Sequence, residues 1–271
     1  MIKKVIHLAD IHIKNYQRMG EFKEATSLLV NDIRSSINGL KREEVRILVA
    51  GDLVHQKNTV SNELFAFVAY FLRELEKIAD VLVISGNHDL IINNNSRVDT
   101  LTALFETANF QHCRFLDKEL DYKSGLIKDE NVTWALYSIW EDYMTPELFN
   151  AENGTKIIGL FHGPLISSAL SNGVKMENGI DMSIFEGCHC VMAGDIHKRQ
   201  ILTYNGIDIV YPGSMLQQNY GESIGEHGFA IWDIDTLKCS FNDLETEYGM
   251  YKFQITSLED IDLNKEVLIN K

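Results

Sequence analysis

The stretch 46–55 reads RILVAGDLVH and sets the pattern for much of the chain. Its first half is typical of a buried β-strand. A glycine and an aspartate follow the strand directly, and a histidine stands three residues after the aspartate. Four other apolar stretches are also followed by polar residues: DIH at 10–12, GNHD at 86–89, HG at 162–163 and GDIH at 194–197. All five polar motifs therefore stand at the C-terminal ends of predicted strands.

Helices alternate with strands in the first half of the chain. Apolar residues recur at helical spacing at 22–37, 64–78 and 98–108, between strands predicted at 5–9, 46–50 and 81–84. Strands dominate after residue 130 and are predicted at 132–139, 157–161, 190–193, 207–210, 229–234 and 251–255. Strand–helix–strand order implies parallel pairing with right-handed crossovers. The pattern predicts an α/β sandwich of two sheets flanked by helices.

The composition is that of an ordinary globular protein. The 271 residues include 25 Lys and Arg against 39 Asp and Glu, a net charge of −14, and 45% are hydrophobic. This excludes a disordered chain and argues against broad attraction to nucleic acid or anionic membranes, although bound cations could still create a local DNA site. No apolar run reaches the roughly 18 residues that cross a bilayer, so a cytoplasmic location and no membrane partner are expected.

The four cysteines are predicted to be free thiols, because Cys113, Cys188, Cys190 and Cys239 form no paired C-x-x-C framework. The sequence CHC at 188–190 has a metal site as its alternative. It lacks a second pair of ligands and runs directly into apolar residues, so a buried strand is favoured there.

The polar residues at the strand ends share a chemistry. Ligands of open α/β sheets bind outside the C-terminal ends of the strands. Any one of these residues could be a helix cap or a satisfied polar group, but five motifs in one register favour a common site. Seven of the nine histidines lie within or beside these strand ends: His7, His12, His55, His88, His162, His189 and His197. Carboxylates, imidazoles and one carboxamide suit a pair of divalent metals, and such a pair favours hydrolysis of a phosphoester.

This set of five motifs resembles the calcineurin-like metallophosphoesterases. The histidine three residues after Asp52, GDIHKRQ at 194–200 and YPGS at 211–214 more narrowly resemble the SbcD-type nucleases that process DNA double-strand breaks. The resemblance covers roughly residues 1–235 and implies a two-sheet αββα metallophosphoesterase sandwich with the start of a small C-terminal cap. We expect a nuclease domain at 1–240 and a C-terminal extension, or the start of a truncated capping domain, at 241–271.

The resemblance implies two divalent ions, Mn²⁺ or alternatively Mg²⁺, with an activated water as the nucleophile. One ion would be held by Asp10, His12, Asp52 and His197, and the second by Asp52, Asn87, His162 and Asp195, so that Asp52 bridges them. The family usually has histidine where this chain has Asp195. An aspartate oxygen lies as many bonds from the backbone as imidazole Nδ1, and the added carboxylate should favour harder ions.

Three further residues receive catalytic roles from the resemblance. His88 would protonate the departing oxygen or stabilise the transition state, and His55 would orient the phosphate. Asp89 would fix the ring of His88, with a helix N-cap as the alternative.

The resemblance also implies partners. Lys14, Arg18, Lys57, Lys198 and Arg199 could contact DNA phosphates, and a solvated surface charge is the alternative for each. The helix at 64–75 is apolar on more than one face, which a homodimer interface or burial within the chain would explain equally well.

The expected function is that of a metal-dependent DNA exonuclease or endonuclease subunit. It would act at double-strand ends or hairpins with an SbcC-type ABC ATPase, which a chain ending at Lys271 should hold weakly. The alternatives are a stand-alone phosphodiesterase or phosphatase for nucleotides or other small phosphoesters, and a catalytically weak scaffold that binds DNA ends.

Overall fold

Two six-stranded sheets form the body of the protein. The computed structural model describes residues 1–57, 59–91, 97–140, 155–252 and 255–257. The first sheet has the order β12-β11-β1-β2-β3-β4, and the second has the order β5-β6-β7-β8-β10-β9. The strands are β1 Lys4–Leu8, β2 Val45–Ala50, β3 Asp80–Ile84, β4 Cys113–Phe115, β5 Gly125–Asp129, β6 Val132–Tyr137, β7 Lys156–His162, β8 Cys190–Gly194, β9 Gln200–Tyr204, β10 Ile207–Tyr211, β11 Gly228–Asp233 and β12 Lys238–Asp243.

The strands that precede the polar motifs are parallel within each sheet. In the first sheet β1, β2, β3 and β4 are parallel, with Ile6 opposite Ile47 and Ile47 opposite Val81. In the second sheet β6, β7, β8 and β10 are parallel. Parallel strands end at the same edge of their sheet, so the motifs are collected at one edge in each case.

Helices cover the outer face of the first sheet. They are α1 Met19–Ser36, α2 Asn62–Glu76 and α3 Thr100–Thr107, and α4 Leu116–Glu119 is a single turn. The Ser61 hydroxyl accepts the Leu64 N–H at 3.1 Å and the Asp99 carboxylate accepts the Thr102 N–H at 2.8 Å, so both α2 and α3 begin at side-chain caps.

The apolar excess of α2 is buried mostly within its own chain. Leu64, Phe67, Phe71 and Leu75 contribute to the core beneath the helix, whereas Tyr70 is 39% exposed. Packing within the chain therefore accounts for the apolar residues on more than one face of α2, which a dimer interface would also have explained. The homodimer stays a prediction.

A second core lies between the two sheets, where Leu48 and Ala50 of β2 pack with Trp134, Leu160 and Met192 of the second sheet. A further cluster covers the outer face of the second sheet, where a 3₁₀ turn at Met182–Phe185 contributes Phe185. The predicted sandwich of two sheets in a mixed α/β fold is thus confirmed.

Several details differ from the sequence-based expectation. The strands β4, β5, β9 and β12 were not predicted, and β12 extends three residues past position 240. The strand predicted at 251–255 is not formed at Tyr251, Lys252 or Ile255, and residues 253 and 254, like 258–271, lie outside the described residues. All four cysteines are free, as predicted. Among the described residues, no helix combines the length and apolar character that a bilayer crossing requires.

Candidate metal centre

The strand ends of both sheets meet at one place. The His162 Nδ1–H donates to the carbonyl of Ala50 at 2.8 Å, and the Asp195 N–H lies 3.1 Å from each oxygen of Asp10. Glycine permits this approach, because a Cβ on Gly194 would lie 2.1 Å from the Ala50 carbonyl oxygen. The polar motifs of the two sheets are therefore in direct contact.

One group of donor atoms combines Asp10, His12 and His197, whose ligand atoms all lie within 4.8 Å of one another. The Nε2 atoms of His12 and His197 are 2.9 Å apart, and Asp52 Oδ2 lies 3.5 Å from His12 Nε2. Two imidazole nitrogens and carboxylate oxygens that face each other in this way can hold a divalent cation.

A second group combines Asp10, Asp52 and His162 within the same 4.8 Å limit. His162 Nε2 lies 3.4 Å from Asp52 Oδ1 and 3.8 Å from Asp195 Oδ1. The Asn87 side-chain amide donates to Asp195 Oδ1 at 3.1 Å. Asp52 thus presents one oxygen to each group, which is the geometry that a bridging ligand needs.

Two buried atoms in the second group have no hydrogen-bond partner in the described part of the chain. They are Nε2 of His162 and Oδ1 of Asn87. When the ring of His162 is neutral, its Nδ1–H is used by Ala50 and its Nε2 is an acceptor, as is the amide oxygen of Asn87. An unsatisfied buried acceptor costs roughly 1–3 kcal/mol, so a cation between these atoms explains the arrangement. The residues present therefore fit a divalent metal.

Burial strongly perturbs the titration of these groups. It raises the pKa of Asp10 to about 7 and lowers the pKa of His12 to about 2. Burial also favours the neutral form of Asp52, but His162 and His12 outweigh it and hold the pKa of that carboxyl below its usual value. Such opposite shifts within one cluster are typical of a functional site.

Comparison with known proteins agrees with this geometry, since residues 3–213 match the sequence model of the calcineurin-like phosphoesterases. The chain belongs to the calcineurin-like phosphoesterase family. It is 33% identical over 257 residues to the uncharacterized protein R555 of Acanthamoeba polyphaga mimivirus. The aligned region covers 92% of this chain but only 18% of that protein. It is 25% identical over 272 residues to “Putative phosphoesterase 244L” of Invertebrate iridescent virus 6, covering 95% of this chain and 82% of that protein.

A solved structure shares the fold. The structure of TT1561 of Thermus thermophilus superposes with a TM-score of 0.51 at 14% identity, over 90% of this chain and 100% of that one. Members of this family typically bind divalent metals, and the ligand groups of this phosphoesterase are suited to them.

His55 and His88 lie beside the ligand groups on the more open side of the phosphoesterase centre. The His88 Nδ1–H donates to the carbonyl of His55 at 2.6 Å, and the two rings stack with centroids 5.3 Å apart. His55 Nδ1 lies 3.3 Å from His12 Nδ1. The hydrogen bond of His88 leaves its Nε2 available to a substrate.

Asp89 has contacts different from those predicted. Its carboxylate accepts the N–H groups of Leu53, Val54 and Gly86 at 3.3, 3.0 and 2.9 Å. The ring of His88 is fixed by the His55 carbonyl instead, and the two residues after Asp89 are not helical. The buried carboxylate of Asp89 therefore joins the loop after β2 to the loop after β3. Its alternative role as a helix N-cap stays a prediction, because residues 92–96 lie outside the described residues.

Glu222 is a residue of the centre that the sequence analysis missed. Its Oε1 accepts the His197 Nδ1–H at 2.7 Å, and its Oε2 accepts the Gln218 N–H at 2.7 Å. A buried carboxylate on the second nitrogen of a ligand histidine fixes the ring and raises its basicity. Glu222 follows no strand and has no diagnostic spacing from His197, so no local pattern indicates its role.

The remaining histidines named by the sequence analysis lie outside the centre. His7 is fully buried within β1, and the ring of His189 accepts the Ile157 N–H at 3.0 Å. The contact between His189 and Ile157 agrees with a structural role for the segment 188–190.

The basic residues near the ligand motifs divide into two kinds. Arg18 pairs with Glu21, and Arg199 pairs with Asp243. Within the described residues, no ion pair is formed by Lys14, Lys57 or Lys198, and these three remain the candidates for phosphate contacts.

A groove adjoins the ligands on the side of the second sheet. A cavity of about 320 Å³ is lined by Asp195, His197 and Asn219, among others. A neighbouring cavity of about 170 Å³ shares His197 with it and reaches Lys198. The groove therefore leads from the ligand positions towards a basic residue.

Proposed function

We propose that this phosphoesterase is a two-metal DNA nuclease that hydrolyses phosphodiester bonds at double-strand ends or hairpins. The observation that carries the proposal is the two ligand groups that share Asp10 and are each approached by one oxygen of Asp52, with two buried acceptors that have no partner in the described chain. One ion is assigned to Asp10, His12, Asp52 and His197, and the other to Asp52, Asn87, His162 and Asp195.

The ions, Mn²⁺ or Mg²⁺, would supply positive charge to the phosphoryl oxygens and lower the pKa of a bound water. The three carboxylates favour these harder ions. His88 holds its Nδ1 proton on the His55 carbonyl, so its Nε2 is free to take up a second proton and, once protonated, to deliver it to the departing oxygen. His55, stacked on His88, is placed to orient the phosphate.

The choice of DNA as substrate rests on two supports. The segments 194–200 and 211–214 resemble the SbcD-type nucleases, and the groove beside the ligands reaches Lys198, which could contact a phosphate. A homodimer and an SbcC-type ABC ATPase partner are proposed on the resemblance alone.

The test compares substrates of the same bond type. Linear duplex DNA, a DNA hairpin and bis(p-nitrophenyl) phosphate are incubated with the protein and Mn²⁺, and hydrolysis is followed in each. We expect hydrolysis of both DNA substrates. Activity on the aryl diester alone would make the protein a phosphodiesterase for small esters, and DNA binding without any hydrolysis would make it a scaffold.

A further inference from the structure

We propose that Tyr16 and Tyr220 form a stacking platform for unpaired bases of the strand that is cut. This inference rests on the proposed function and names the form of its substrate. Tyr16 is 74% exposed and Tyr220 is 65% exposed. They are the most exposed aromatic residues of the described chain, where the next two, Tyr70 and Tyr248, are 39% exposed.

Both tyrosines lie on loops that also carry residues of the candidate centre or of its cavity. Tyr16 follows the ligand position His12 by four residues, on the loop between β1 and α1. Tyr220 stands between Asn219 and Gly221, which line the same cavity as Asp195 and His197. The two tyrosines thus belong to loops of one site, although they are 204 positions apart.

Hydrogen bonds join the two loops into one wall. The Lys14 ammonium donates to the carbonyl of Gln218 at 3.2 Å, and the Arg18 guanidinium donates to the carbonyl of Gln217 at 2.6 Å. The side-chain amide of Gln218 also donates to the carbonyl of Ile11 at 3.4 Å. Tyr16 and Tyr220 are therefore carried by a single connected surface.

The backbone at Tyr16 is held in an unfavourable conformation. Its φ of 55° lies in the left-handed region, which is uncommon for an aromatic residue. The neighbouring Asn15 is fixed, because its N–H donates to Gln56 Oε1 at 3.1 Å and its side chain donates to the carbonyl of Thr59 at 2.6 Å. A strained position that its surroundings maintain is typical of a functional site.

The chemistry of this wall suits a nucleotide with an unpaired base. An exposed ring offers its face to a base, and each such stack contributes about 1–3 kcal/mol. Lys14, held against the carbonyl of Gln218, adds a positive charge to this wall. Inside a duplex both faces of a base are covered by its neighbours, so the platform selects a single strand, a frayed end or a hairpin loop.

The test measures binding separately from hydrolysis. Fluorescence anisotropy gives Kd for a labelled dT 12-mer, and for a 12-mer of abasic tetrahydrofuran units, with Ca²⁺ as an ion that also takes oxygen ligands. We expect Tyr16→Ala and Tyr220→Ala each to raise Kd for the dT 12-mer about 10-fold and to leave Kd for the abasic oligomer unchanged. Tyr16→Phe and Tyr220→Phe should restore binding, and Tyr70→Ala is the matched control on α2.

Unchanged affinity of both alanine variants for the dT 12-mer would overturn the stacking proposal. Equal losses on the dT and abasic oligomers would overturn it too, because the tyrosines would then act through loop structure. Hydrolysis of the DNA hairpin named under the proposed function is measured with Mn²⁺ in parallel. Tyrosine-dependent binding without hydrolysis would overturn the proposed nuclease activity alone, whereas hydrolysis with tyrosine-independent binding would overturn the stacking platform alone.

Discussion

Histidine rings at the metal centre are oriented through the nitrogen that does not face the ligand groups. His162 and His88 donate their Nδ1 protons to backbone carbonyls of Ala50 and His55, whereas His197 donates to the side chain of Glu222. A carbonyl partner cannot be replaced by mutation, but a carboxylate can. Glu222 therefore offers a way to alter the centre without touching a ligand.

We predict that Glu222→Gln weakens Mn²⁺ binding about 10- to 100-fold, the usual effect of losing the outer partner of a ligand histidine. The amide keeps an acceptor but removes the charge that makes the imidazole more basic. Calorimetric titration with Mn²⁺ measures the change, and Glu226→Gln, an exposed carboxylate on the same loop, is the control. Equal affinities in all three proteins would show that Glu222 does not position His197.

His88→Ala should reduce turnover roughly 100-fold or more while Mn²⁺ affinity is kept, because the residue is assigned to proton transfer. The rate of DNA hydrolysis and the calorimetric Kd for Mn²⁺ are measured together. His112→Ala removes an exposed histidine outside the centre and should behave as the wild type. Loss of metal binding in His88→Ala would assign His88 to the ligands.

Asp117 should make stability depend on pH. It is buried in α4, where it accepts the Ser85 N–H at 2.8 Å, and burial raises its pKa to about 6. An unfolded aspartate titrates near 3.9, so between these values the folded protein binds the proton more tightly. Its contribution to stability is complete below the unfolded pKa and is lost as the pH rises through the folded pKa.

In the wild type, titration of Asp117 should lower the unfolding free energy by roughly 2–3 kcal/mol as the pH rises from about 4 to about 7. Asp117→Asn lacks the titrating group, so its unfolding free energy should fall by that much less over the same range. Urea unfolding in EDTA at several pH values measures the difference from the wild type. The exposed Asp235→Asn should leave the pH dependence as it is. An Asp117→Asn curve parallel to that of the wild type would contradict the assignment.

At the level of elements, the centre depends on how closely β8 approaches β2. A Cβ on Gly194 would lie 2.1 Å from the Ala50 carbonyl oxygen and 2.8 Å from His162 Nδ1, and backbone atoms cannot move aside cheaply. We predict that Gly194→Ala lowers Tm and abolishes tight Mn²⁺ binding. Gly20→Ala in α1, where nothing lies within 4 Å of the added Cβ, is the control and should keep both the Tm and the Mn²⁺ affinity of the wild type. A Gly194→Ala protein with wild-type Tm and Mn²⁺ affinity would show that the sheets can separate freely.

The elements also show what the sequence could predict. Long periodic helices and buried strands such as β2 were found because one apolar face or run dominates their pattern. The missed strands β4, β5, β9 and β12 are short or lie at sheet edges, with few buried apolar residues. The polar residues whose donor atoms the structure brings together were predicted from their common place after strands. Glu222 and Asp89, in contrast, act through contacts between loops that have no local signature.

For the whole molecule, the centre is shared between the two sheets. Asp10, His12, Asp52 and Asn87 follow strands of the first sheet, and His162, Asp195 and His197 end or follow strands of the second. Binding of an ion by both halves favours the folded state over the unfolded one. Asp52, with one oxygen near His12 and the other near His162, is the residue through which the two proposed ion sites should depend on each other.

The most direct test of this account is a calorimetric titration of wild type and Asp52→Asn with Mn²⁺. Unfolding in EDTA first establishes that both proteins fold, which is expected because an asparagine oxygen can still accept the His88 N–H. The wild type should bind two ions, and Asp52→Asn should lose tight binding of both, since the carboxylate assigned to both ions loses its charge. Two unaltered binding events in Asp52→Asn, or a single ion in the wild type, would contradict a centre of two ions bridged by Asp52.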